Sequence, residues 1–137
     1  MKTISSIISI TLMLCFICLT QNIFAQTANE EWKIPDKYQK MANPVKADAG
    51  SLAEGKALWA KHCQSCHGKT GLGDGSKAAQ LKTEPGNFSK ESFHKQPDGI
   101  LFYKTLEGRE DMPGFKKKIP DQSEIWSIIN YLRTFKK

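Results

Sequence analysis

The chain is poor in residues that bind metals or form cross-links. Its 137 residues include four cysteines and three histidines. Cys15 and Cys18 lie in the apolar N-terminal run, so beyond residue 25 only Cys63 and Cys66 remain. With His62, His67 and His94 as the other candidates, there is no second close pair for a structural zinc site of about four ligands. Strand-like alternation of any length is absent, which removes the βαβ setting of a thioredoxin-like redox pair. Internal repeats and low-complexity segments are also absent. The basic excess is small, 20 Lys and Arg against 14 Asp and Glu. That is too little and too dispersed for nucleic acid, though it suits acidic protein surfaces. Lys116-Lys117-Lys118 and Lys136-Lys137 are the only basic clusters. Each reads equally well as a solvated face or a docking patch.

The one long apolar run is at the start. Met1 and Lys2 precede Ile4 to Leu19, whose strictly apolar core is shorter than the roughly 20 residues of a spanning helix. Ile23-Phe24-Ala25 offers a small residue at a cleavage position. Residues 1–25 therefore read as a secretory signal peptide, which implies export to the periplasm and no stable membrane insertion after cleavage. An uncleaved N-terminal anchor is the alternative. Residues 26–48 lack a helical apolar stripe, contain Pro35 and Pro44, and read as an extended arm pinned by Trp32, Tyr38 and Met41. Residues 49–137 form the remaining domain.

What that domain does contain is Cys63-Gln64-Ser65-Cys66-His67. C-x-x-C-H is the attachment signature of a c-type haem. Two thiols two residues apart can each add to a vinyl group of one porphyrin, and the adjacent histidine then lies under the iron. Cys63 and Cys66 are the expected thioether cysteines and His67 the proximal iron ligand. The cofactor is one covalently bound haem c. Gly68 to Gly75 has four glycines in eight residues and reads as a loop. It is not a phosphate-binding loop, since no apolar strand precedes it and no Gly-Lys-Ser/Thr follows.

Helices are predicted on either side. Ser51 to His62 carries Leu52, Gly55, Trp59 and Cys63 on one face. Ser76 to Leu81 suggests a short helix. Asp98 to Leu106 suggests another, with Asp98 as candidate N-cap and Gly108 as its stop. The last spans about Gln122 to Phe135, with Asp121 and Glu124 at capping-box spacing and Ile125, Ile128, Ile129, Leu132 and Phe135 on its apolar face. The class is all-α with long loops. For the sixth iron position, Met112 in Met112-Pro113-Gly114-Phe115 is favoured, because a thioether raises the reduction potential and Pro113 stiffens the loop. Met41 and His94 are the rivals.

In these residues the chain resembles the class I monohaem cytochromes c, a family with many bacterial periplasmic members. Gly55 and Trp59 resemble the Gly-x-x-x-aromatic of its first helix. Cys63, Cys66 and His67 match its haem signature, and Met112-Pro113 its distal methionine loop. Ile128 and Tyr131 match the apolar/aromatic pair of its last helix. The resemblance covers about Leu52 to Phe135 and implies the cytochrome c fold, with about three to five short helices and long loops around the haem. It also implies that the Pro85 carbonyl accepts the N–H of His67. The expected function is an electron carrier and not an enzyme. Its redox partners would be a quinol-oxidising complex as donor and a terminal oxidase or reductase as acceptor. Alternatives are a fixed haem subunit of a larger exported oxidoreductase and a five-coordinate haem that binds peroxide or a gas.

Overall fold

Asp48 starts the first long helix. Its carboxylate accepts from Ser51 N at 3.1 Å, and the Ser51 hydroxyl accepts from Asp48 N at 3.1 Å, a reciprocal capping box. A computed structural model describes residues 32–137. The expected signal peptide lies outside the described residues, as does the arm up to residue 31. Ile34–Lys137 groups as one compact unit.

Within Ile34–Lys137 the elements are all helical: α1 (Asp36–Gln39), α2 (Ala49–His62), α3 (Gln64–His67), a 3-10 turn (Ala78–Gln80), α4 (Glu91–His94), α5 (Asp98–Glu107) and α6 (Gln122–Arg133). Three of these, α1, α3 and α4, are single turns. Strand pairing among the described residues is limited to an isolated bridge between Arg109 and Met112. The all-α class expected from the sequence is what the chain adopts.

The core is built on α6. Ile125, Ile128 and Ile129 are at most 1% exposed, and Trp126 and Leu132 are buried beside them. Each such side chain contributes roughly 1.5–3 kcal/mol by leaving water. The opposing surface is α2, which crosses at Gly55. A Cβ on Gly55 would lie 2.0 Å from Ser127 O and 2.9 Å from Tyr131 Cβ. Only a residue without a side chain lets the two backbones approach this closely. Trp59, one turn on, is 2% exposed.

Segment 34–48 lies across the helices. Tyr38 is 4.8 Å from Tyr103 and stacks on Phe102 at 6.2 Å. Met41 packs beside Gly99. The Asn43 amide donates to Trp126 O at 3.1 Å and Asn130 Oδ1 at 2.9 Å, and Asn130 returns a bond to Val45 O at 3.0 Å. Asn130 is a buried polar residue, and this exchange satisfies its amide. Trp126, which stands off the apolar stripe, stacks on Phe102 at 4.1 Å with the rings 11° from parallel.

Two helix ends differ from expectation. Asp98 is the first residue inside α5, and Pro97 holds the N-cap position. The Asp98 carboxylate instead meets Arg133, which also donates to His94 O at 3.2 Å and Gln96 O at 2.6 Å. At α6 the Asp121 carboxylate accepts from Ser123 N at 2.9 Å, and Glu124 contributes its backbone N–H to Asp121 O instead of a side-chain bond.

Gly55→Ala is expected to lower the stability of the haem-loaded protein by about 1–3 kcal/mol or more, because neither backbone can move aside. Asn43→Ala should lower it by about 1–3 kcal/mol, since it leaves part of the buried Asn130 amide without a partner. Guanidinium unfolding followed by far-UV circular dichroism measures both. A loss below 0.5 kcal/mol, on the order expected for a surface change, would show the crossing or the strap to be slack.

Candidate haem site

The site grows from the end of α2. Cys63 closes that helix with its N–H on Trp59 O at 2.9 Å, and α3 then turns Cys66 and His67 back towards it. The carbonyls of this turn are satisfied by the glycine loop. Gly73 N donates to His67 O at 2.9 Å, Gly75 N to Cys66 O at 3.2 Å and Lys77 N to Ser65 O at 2.8 Å. A Cβ on Gly75 would lie 2.4 Å from Ser65 O, so the loop can fold this tightly only with glycine there.

His67 is held on three sides. Its Nδ1 is 2.9 Å from Pro85 O. A carbonyl can only accept, so Nδ1 carries the proton and the Nε2 lone pair remains for a metal. Its ring lies 4.8 Å from Phe88 and 5.7 Å from Trp59. Phe88 is in turn stacked on Phe93 at 4.4 Å, and its N–H donates to Gly71 O at 2.7 Å. Burial pushes the imidazole below the usual histidine pKa, opposed by the hydrogen bond to Pro85. The neutral ring with a free Nε2 is the form that ligates metals.

Cys63 and Cys66 are free thiols, both partly buried. Burial, with a smaller contribution from Cys66, pushes the Cys63 thiol up to about 12. Cys63 is therefore an uncharged group against the core, where it packs beside Trp59 and its neighbours. Two unbridged thiols and one oriented imidazole within five residues fit a c-type haem. Among the described residues no group of three or more His, Cys, Asp or Glu could hold a separate metal ion.

Met112 lies at the end of a two-residue turn. Arg109 N donates to Met112 O at 2.8 Å and Met112 N to Arg109 O at 2.9 Å. Between them, Glu110 has φ of 52°, in the left-handed region. Among the described residues it is the one non-glycine residue there, at a cost of roughly 1–3 kcal/mol. Two contacts bring the turn towards the site. The Asp111 carboxylate accepts from Lys82 N at 2.7 Å and Thr83 N at 3.1 Å, just ahead of Pro85. Phe115, whose N–H bonds Leu106 O at 3.0 Å, meets the His62 ring at 5.8 Å. Met41 lies in the strap over α5, and His94 rests on Phe93 near the end of α6.

Residues 50–132 match the family model described as cytochrome C oxidase, cbb3-type, subunit III. The chain belongs to this family. Membership makes it a c-type cytochrome, and the cytochrome c domain implies haem c and haem-based electron transfer. Among solved structures, a chain of the reducing HAO-like protein complex of Kuenenia stuttgartiensis matches with a TM-score of 0.62 at 22% identity. The match covers 69% of this chain and 47% of that one, so this cytochrome spans about half the neighbour's length, and the likeness is one of fold. No curated protein matches significantly.

Sequence reasoning missed Phe88, Asp111 and Glu110. Phe88 follows a Pro-Gly turn and breaks no pattern, while the acidic pair reads as ordinary loop polarity. Phe88→Ala is expected to destabilise the cytochrome by about 2–4 kcal/mol, with Phe88→Leu recovering much of it. Thermal unfolding of the three proteins tests this, and equal midpoints would remove Phe88 from the wall around His67.

Proposed function

We propose that this cytochrome is an exported single-electron carrier with a His67/Met112-ligated haem c, attached through Cys63 and Cys66. The observation that carries the reading is the oriented His67: its Nδ1–H is committed to Pro85 O at 2.9 Å, and its ring is wedged between Trp59 and Phe88. That geometry supports a permanent ligand better than a mobile acid or base. The bound haem would supply the one-electron ferric/ferrous couple. The chain's own residues then have four tasks. Cys63 and Cys66 would tether the group, His67 would ligate its iron, Met112 would fill the remaining iron position against small molecules, and Pro85 would raise the basicity of the imidazole.

Soft thioether ligation favours ferrous iron and raises the potential, which suits a carrier between a quinol-oxidising complex and a terminal oxidase or reductase. The apolar run in residues 1–25 supports placement in the periplasm. A second reading is a fixed haem subunit of a larger oxidoreductase, favoured by the family's description as an oxidase subunit.

Wild-type ferric protein is expected to show the weak red absorption band of sulfur-to-iron charge transfer and to bind CO poorly when reduced. Met112→Ala should lose the band and bind CO readily. A wild type that lacks the band and binds CO at once would overturn the carrier reading in favour of an open, five-coordinate haem. Extraction from native membranes separates the two roles. Release as a monomer by a salt wash supports the shuttle, and retention in a large assembly supports the subunit.

A further inference from the structure

The turn that carries Met112 is fastened to the run of backbone that leads into Pro85. Asp111 precedes Met112 directly, and its Oδ2 holds the backbone N–H groups of both Lys82 and Thr83. Thr83 stands two residues before Pro85, the acceptor of the His67 ring. Glu110 adds a second fastening through Thr83 Oγ1 at 2.5 Å. It does so from a left-handed backbone that glycine would adopt with less strain. A carboxylate that accepts two backbone N–H groups forms charge-assisted bonds, roughly twice as strong as neutral ones. The run 82–85 also lies among the long loop's irregular residues, where few other backbone bonds hold it.

We propose that Asp111, assisted by Glu110, is a positioning residue for Met112: it ties the distal turn to the strand of backbone that carries Pro85, so that protein sets the spacing of the two axial sides. The proposal rests on Met112 being the sixth ligand. Release of Met112 from a bound haem would require its turn to move, and the Asp111 bonds would oppose that movement. An external ligand must first find the distal position open, so its apparent affinity scales with the open fraction.

The test is titration of the ferric, haem-loaded protein with imidazole, read from the Soret band together with the red band. Asp111→Ala is expected to bind imidazole about tenfold more tightly, because it removes two charge-assisted bonds. Asp111→Asn keeps an acceptor oxygen but loses the charge, and should fall between wild type and Asp111→Ala. Thr83→Val removes only the Glu110 bond, should give a smaller rise, and serves as the readout if Asp111→Ala does not retain haem. A purely structural role would lower the melting temperature and leave the imidazole affinity unchanged. Unchanged affinity in Asp111→Ala, or in Thr83→Val where it must stand in, overturns the proposal. Met112→Ala separates the two failures. If it leaves the red band and the imidazole affinity as in wild type, Met112 is not the ligand and both readings fall. If it abolishes the band while the Asp111 and Thr83 variants match wild type, only the strut falls.

Discussion

A methyl group on Gly55 would collide with the Ser127 carbonyl, and the site depends on that approach being open. It lets α2 lie against α6 at backbone distance, which buries Trp59 under Tyr131 and Phe135 at 6.4 and 5.2 Å. Trp59 then forms one wall of the His67 pocket. The end of α2, set by the same crossing, determines where Cys63 leaves the helix. A contact between two backbones far apart in sequence thus positions Trp59 and Cys63, and with them the start of the haem motif.

The two halves of the site are held differently. His67 is enclosed by local chain: it ends α3, and the glycine loop, Pro85 and Phe88 all lie within the next 21 residues. Their hydrogen bonds run mostly from loop N–H groups to the carbonyls of Ser65, Cys66 and His67, which a single-turn helix cannot satisfy itself. The Met112 side is held mainly by more distant chain: by Asp111 and Glu110 on residues 82 and 83, by Phe115 sunk between α5 and α2, and by Gly108 and Gly114, whose backbones pack against each other and the end of α5. His67 is thus caged by neighbours in sequence, and the Met112 turn by contacts made across the fold.

What could be read from the chain follows from this difference. Cys63, Cys66 and His67 are legible because their chemistry demands adjacency, and Gly55 and Trp59 because helical periodicity places them on one face. α6 is legible from its isoleucines. The capping box of α2 was hidden because Asp48 and Ser51 straddle the expected border between arm and domain. α1 and α4 are single turns held by tertiary contacts, too short for a periodic signal. Pro85 came only through family resemblance, and Asp111 through neither route, because the backbone donors it holds lie about 28 residues away and carry no side-chain signature.

Arg133 shows a related economy. α5 has no side-chain N-cap, and α4 ends on backbone bonds alone, with Lys95 N–H on Glu91 O. One guanidinium at the end of α6 supplies donors to the carbonyls of His94 and Gln96 and a countercharge to Asp98. The corner between α4 and α5 is therefore capped from a helix more than 30 residues away. That arrangement uses the fork shape of the group as well as its charge. A lysine there would keep the cation, yet its single ammonium could not address three directions fixed in one plane. At this corner, charge conservation and functional equivalence part company.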